Sequence, residues 1–194
     1  LTAMLDDDGN GVVRLDELVD FVERGAAALR DNAGGAWARR VVDEDAARRD
    51  FTMNALYCGI DGVVVDPVGQ GLADLAARRV RFIGDDEERI REDYLRILRF
   101  FRFHAWYGGD GIDPEGLAAC AALAEGVEGL SRERIGHEVM KLLAAPDPAP
   151  AVASMAASGV LMRVLPGASA QVLAPLVHLE ALAGEAPDPI VRLA

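Results

Sequence analysis

Apolar residues recur at Ile90, Tyr94, Ile97, Leu98 and Phe101, the three-and-four spacing of a helix that turns one stripe toward a core. From Glu87 onward the pattern is helical throughout. Gly108-Gly109 is expected to end the first helix. A second is expected over 114–123, with Asp113 as its cap and Pro114 in the first turn, where its missing N–H costs nothing. Ser131 caps a third, although Arg134 stands where the reciprocal glutamate of a capping box would be. Pro146, Pro148 and Pro150 break that helix, and 151–157 and 172–182 supply two more.

Upstream the period changes. Val63-Val64-Val65 and Val80-Arg81-Phe82-Ile83 are short runs rich in β-branched residues between turn residues, and are expected to be strands. The stretch from Tyr57 to Val65 has the form of a hairpin around Asp61-Gly62, and Leu72 to Ala77 of one or two helical turns. The fold class expected is mixed and mainly α. Three regions separate: an acidic, partly helical segment over 1–44, a small α/β segment over 45–88, and a helical segment over 89–194.

Composition changes this picture little. The chain of 194 residues is 51% hydrophobic and 27% charged, an ordinary globular balance. No apolar run approaches the roughly 18 to 20 residues of a membrane span, and no leader signal is visible. The chain opens on Leu1 and stops soon after Pro187-Asp188-Pro189, and is expected to be a piece of a longer polypeptide. Cys58 and Cys120 lack Cys-x-x-Cys spacing or nearby histidines. Zinc and a disulfide framework are therefore not expected, and a reducing compartment, cytoplasmic or organellar, is.

Charge does change it. A net charge of −12 argues against a general nucleic-acid binder, whose affinity rests on basic surface. All arginines between 51 and 110 fall within 78–102, so any polyanion site there is local. On a single helix Asp93, Arg96, Arg99 and Arg102, at steps of three, draw a slanting ridge beside the apolar stripe. An aspartate accepts from an exocyclic amine, while an arginine three residues on donates to a neighbouring ring nitrogen or carbonyl. Such a pair suits cytosine and adenine, which carry an amine, and mismatches uracil and guanine. The remaining arginines would neutralise phosphates. The same spacing also makes a solvated ion pair. In Arg48-Arg49-Asp50-Phe51-Thr52-Met53-Asn54, the arginines suit phosphate, and Asp50 or Asn54 a ribose hydroxyl. The alternative is a helix start with Asp50 as its cap and Phe51, Ala55 and Leu56 packing.

Taken in order, these segments resemble the class II tRNA nucleotidyltransferases, the CCA-adding enzymes, and the related bacterial poly(A) polymerases. The carrying residues are Arg48 to Ala55, Asp66 to Leu75, Arg79 to Gly84, Glu92 to Arg99 and Ser131 to Glu138. The resemblance covers about Asp45 to Leu165. It implies the C-terminal part of an α/β nucleotidyltransferase head, followed by a helical neck and the start of a body. It further implies template-independent addition of nucleotides to RNA 3′ ends, tRNA CCA addition foremost and poly(A) addition as the alternative. CTP, ATP and the tRNA 3′ end are the implied partners. Arg49 and Asp50 would contact the ribose and phosphates, and Asp93 and Arg96 would select CTP or ATP, with Arg99 and Arg102 extending the site.

The family also implies Mg²⁺ held by an Asp-x-Asp pair behind a glycine-rich segment, well upstream of Arg48. Nothing here matches that arrangement, so no catalytic carboxylate is assigned. Asp6 to Glu17 instead resembles an EF-hand loop, with Asp6, Asp8, Asn10, the Val12 carbonyl and Glu17 as Ca²⁺ ligands and Gly11 at the turn; the alternative is an acidic Gly-Asn-Gly turn in an unrelated acidic segment. A calcium-binding module fused to an inactive nucleotidyltransferase remnant is accordingly the reading from a different class.

Overall fold

A computed structural model describes residues 35–58, 64–109 and 111–194, and for 35–38 the backbone alone. The chain divides into two compact units, one ending at Ile83 and one beginning at Gly84.

In the first unit, helix α1 (Gly35–Arg48) runs without a break through position 45. A single 3-10 turn follows at Thr52–Asn54. Strands β1 (Tyr57–Cys58) and β2 (Val64–Val65) pair antiparallel, with Tyr57 opposite Val65 and Cys58 opposite Val64. That is the expected hairpin, although its tip at Asp61-Gly62 lies outside the described residues. Helix α2 (Gly71–Ala76) falls where a turn or two was expected. Gly71 lets it approach the 3-10 turn, because a Cβ there would stand 2.5 Å from the Thr52 carbonyl oxygen.

Residues 80–83 do not form a strand of a sheet. They make an isolated bridge, Phe51 opposite Phe82. Thr52 N–H donates to the Arg81 carbonyl at 2.9 Å and Ile83 N–H to the Asp50 carbonyl at 3.1 Å. The ladder stops because Phe51 leads straight into the 3-10 turn, which bends the partner segment away. Phe51 and Phe82 meet at 5.0 Å between ring centres with their planes tilted by 44°, and Met53, Ala55, Leu56 and Val80 are buried with them.

One buried polar group spans this core. The Thr52 hydroxyl donates to Asp74 Oδ2 at 2.7 Å, and Arg81 Nη2 lies 3.4 Å from Asp74 Oδ1. Asp74 is only 4% exposed. Thr52→Val keeps the shape and removes one donor from a buried carboxylate, so it is expected to cost about 1–3 kcal/mol. Urea denaturation of the two proteins measures this, and an unchanged midpoint would contradict it.

The second unit is helical. It contains α3 (Asp86–Glu92), α4 (Leu95–Tyr107), α5 (Pro114–Ala122), a 3-10 segment at Ala124–Gly129 and α6 (Arg132–Leu143). After these come α7 (Ala149–Ala157), α8 (Val160–Val164), a 3-10 turn at Ala170–Val172, α9 (Leu173–Ala183) and α10 (Pro189–Leu193). The caps fall as expected: Asp113 accepts from Gly116 N–H at 3.0 Å and Ser131 from Arg134 N–H at 3.3 Å. Helices α6 and α7 both pack on α4. Ile97, Leu98, Phe101, Leu142, Leu143, Val152 and Met155 make up much of their shared core. Cys120 is buried, which pushes its thiol pKa up, while Cys58 is half-buried, and neither is in a disulfide among the described residues.

Two expectations change here. The helix expected from Glu87 to Tyr107 is two helices, because Asp93 is extended at φ −155° and ψ 107°. Its carboxylate accepts from Leu95 N–H at 3.1 Å, offering the backbone an alternative to a continuing helical ladder. Helix α4 is also not an amphipathic helix with one apolar stripe. Phe100, Arg102, Phe103 and His104 are buried along with the stripe residues, as on a helix at the centre of a bundle.

Candidate functional site

The first set of expected site residues lies at the end of α1. Arg48 is its last residue and is exposed. Arg49, half-buried, donates to Asp45 Oδ2 through Nη2 at 3.0 Å and Nε at 3.3 Å. The Tyr57 hydroxyl, on β1, donates to the same oxygen at 2.6 Å. Partial burial works to raise the Asp45 pKa, but the Tyr57 hydroxyl and the Arg49 and Arg48 guanidiniums outweigh it and hold it below the ordinary value. Burial, then the hydrogen bond to Asp45, push the Tyr57 hydroxyl pKa well up.

Asp50 is buried at 6% exposure and does not cap the following turn. Phe51 occupies the cap position, and its N–H donates to Asn54 Oδ1 at 3.1 Å. The amide oxygen of Asn54 thus closes its own turn.

The second set lies at the joint between α3 and α4. Asp93 Oδ1 accepts from Leu95 N–H, and Oδ2 accepts from Arg134 Nη2 at 2.7 Å. Arg96 Nη1 donates to the Arg89 carbonyl at 2.6 Å and to Glu92 Oε2. The hydrogen bond from Arg96 holds the Glu92 pKa below its usual value. Beside them the Tyr94 ring lies on Gly126, where a Cβ would fall 1.9 Å from Tyr94 Cδ1. Arg99 is half-buried.

Arg102 corrects the expected ridge. It is 3% exposed, its Nε stands 2.9 Å from Glu138 Oε2, and its guanidinium carbon lies 4.7 Å from the centre of the Phe103 ring. A continuous ridge of four needed one helix and a solvated flank. The joint at Asp93 removes the first and the central place of α4 removes the second, so Arg102 braces α4 against α6.

Spacing held a signal for Asp45, four residues before Arg49 and hence its neighbour on one helical face. Arg134 and Glu138 stood in a motif read only for its cap and its resemblance. Asp74, 22 residues from Thr52, left no such trace.

The expected Ca²⁺ ligands Asp6, Asp8, Asn10, Val12 and Glu17 lie outside the described residues. Among the described residues no group of three or more His, Cys, Asp or Glu side chains is arranged to hold a metal ion. The described residues thus include no cluster of three or more such side chains for the Mg²⁺ that the resemblance implies. No helix among the described residues is long and apolar enough to cross a membrane.

Comparison with known proteins adds an independent line. Residues 13–81 match the family described as the poly A polymerase head domain, and residues 111–172 the probable RNA and SrmB-binding site of polymerase A. The first match begins inside the EF-hand-like loop. The chain is 48% identical over 106 residues to the mitochondrial CCA tRNA nucleotidyltransferase 1 of Homo sapiens, covering 52% of this chain and 23% of that protein. It is 41% identical over 128 residues to the CCA-adding enzyme of Leuconostoc citreum, covering 66% and 31% respectively. The crystal structure of the Bacillus stearothermophilus CCA-adding enzyme in complex with CTP matches with a TM-score of 0.60 at 34% identity, over 73% of this chain and 34% of that one. These findings support the family of the CCA-adding enzymes and poly(A) polymerases. The chain spans about a quarter to a third of the length of these relatives.

Proposed function

We propose that this chain is the nucleotide-selecting part of an enzyme that adds nucleotides to RNA 3′ ends without a nucleic-acid template, tRNA CCA addition in particular. The observation that carries the proposal is the α3–α4 joint. It puts Asp93, bonded to Arg134, between the two helices and Arg96, bonded to Glu92, in the first turn of α4, in a chain whose relatives are named for CCA addition. Asp93 accepts the exocyclic amine of cytosine or adenine, and Arg96 donates to the adjoining ring position. Arg48 and Arg49 take phosphate, Asp50 takes a ribose hydroxyl, and Arg99 lies one helical turn beyond Arg96. CTP, ATP and a tRNA 3′ end are the partners in this reading. A cytoplasmic or organellar setting fits the reading, and the name of the human relative carries the word mitochondrial.

The experiment is a titration of the folded chain with all four ribonucleoside triphosphates. CTP and ATP are expected to bind more tightly than UTP and GTP. Equal affinity for all four overturns the selector role. Poly(A) addition is the second reading, favoured by the names of the two matching families. A preference for ATP alone, with CTP bound no better than UTP, supports it over CCA addition.

A further inference from the structure

The first unit holds a device that the nucleotide reading does not itself require. Asp45 on α1, Arg49 just beyond it and Tyr57 on β1 meet at a single oxygen, Asp45 Oδ2, with three donor contacts of 2.6 to 3.3 Å. We propose that Asp45, oriented by the Tyr57 hydroxyl, is a positioning residue that fixes the Arg49 guanidinium for the phosphates of the incoming nucleotide. The proposal rests on the reading of Arg49 as a phosphate contact.

Three observations carry it. Asp45 engages Nε and Nη2, neighbouring donors on one edge of the guanidinium, and contacts at both restrain the planar fork's rotation as well as its place. The contacts link a helix, the segment after it and a strand, so the side chain of Arg49 is tied through side chains to elements on either side of it in sequence. Tyr57 is the second tie. A carboxylate held by an arginine alone follows that arginine's motion, whereas a hydroxyl from β1 anchors the carboxylate itself. The direction of the Asp45 pKa agrees, since the carboxylate stays ionised through the neutral range. A long side chain ordered before the ligand arrives does not have to be ordered when it binds.

The test is calorimetric titration of the whole chain with CTP and with cytidine, which lacks the phosphates. Asp45→Asn is expected to weaken CTP binding by roughly three- to tenfold, the cost of ordering one long side chain on binding. Tyr57→Phe is expected to give a smaller loss in the same direction. Neither is expected to alter cytidine binding. In an Arg49→Ala background neither should cost anything further, because the group they hold is gone. Additive losses in that background, or equal losses for cytidine and CTP, overturn the positioning role while leaving Arg49 as a phosphate contact. An Arg49→Ala chain that binds CTP as tightly as the parent overturns the reading beneath it as well.

Discussion

Glu138→Ala is expected to destabilise the helical unit by about 3–5 kcal/mol, the cost of removing one member of a buried ion pair. Arg102 and Glu138 keep 4% and 8% of their side-chain surface, so water cannot take the place of the lost carboxylate. The stacked Phe103 ring compensates only in part, since a cation over an aromatic face contributes about 0.5–2 kcal/mol. The pair as a whole contributes much less than its breakage costs. Replacing both residues by Met should recover most of the stability, because desolvating two charges consumes much of their attraction. Urea denaturation of the single and double variants separates the cases. A single variant as stable as the parent would show that the charge is satisfied elsewhere, and a double variant as poor as the single would show that the ion pair itself stabilises.

Asp93→Asn is expected to reduce the preference for CTP and ATP over UTP and GTP by about ten- to a hundredfold, the worth of one hydrogen bond to a charged group. The amide can keep its oxygen on Leu95 N–H, which preserves the start of α4. It then turns an amine toward the amine of cytosine or adenine, so acceptor becomes donor where the base offers only a donor. The loss should appear in discrimination and leave the shared affinity for the triphosphate group largely intact. Asp93→Ala should also lose discrimination, together with about 1 kcal/mol of stability from the lost hydrogen bond to Leu95 N–H. Titration with the four nucleotides reads the result, and an unchanged preference in both variants would remove Asp93 from base selection.

Local chemistry made much of this structure legible in advance. Asp113 with Pro114, Ser131, and the three prolines after Leu143 mark helix ends through groups on the chain itself, and those ends fall where the residues put them. The hairpin at Tyr57 was legible for the same reason. The joint at Asp93 was not, because the apolar stripe runs through it without losing step. A single side chain choosing its neighbour's N–H leaves no mark on periodicity. The five-residue helices α8 and α10 are too short to show a period at all. The burial of Arg102 was hidden because charge reads as exposure until the opposite charge, 36 positions away, is brought to it. At the candidate site the residue types were readable and their restraints were not. Asp93 and Arg49 stood out in the chain, while what holds them, Arg134 and the pair of Asp45 with Tyr57, became visible only through contacts across the fold.

Near the end of the chain Arg192, on α10, reaches back to the end of α6. It donates to the carbonyls of Leu143 and Ala145 at 2.6 Å each and to Pro146 at 3.4 Å, and pairs with Glu180 of α9 at 2.6 Å. The helix that carries Arg134 and Glu138 therefore has its terminal backbone acceptors satisfied by a residue almost fifty positions later. A fragment drawn to the limit of the matching RNA-binding family, at residue 172, would discard both Arg192 and Glu180. It would sever α6 from its own stopper while appearing, by sequence likeness, to be whole. In this molecule the boundary of a recognisable segment and the boundary of what can stand alone are different places.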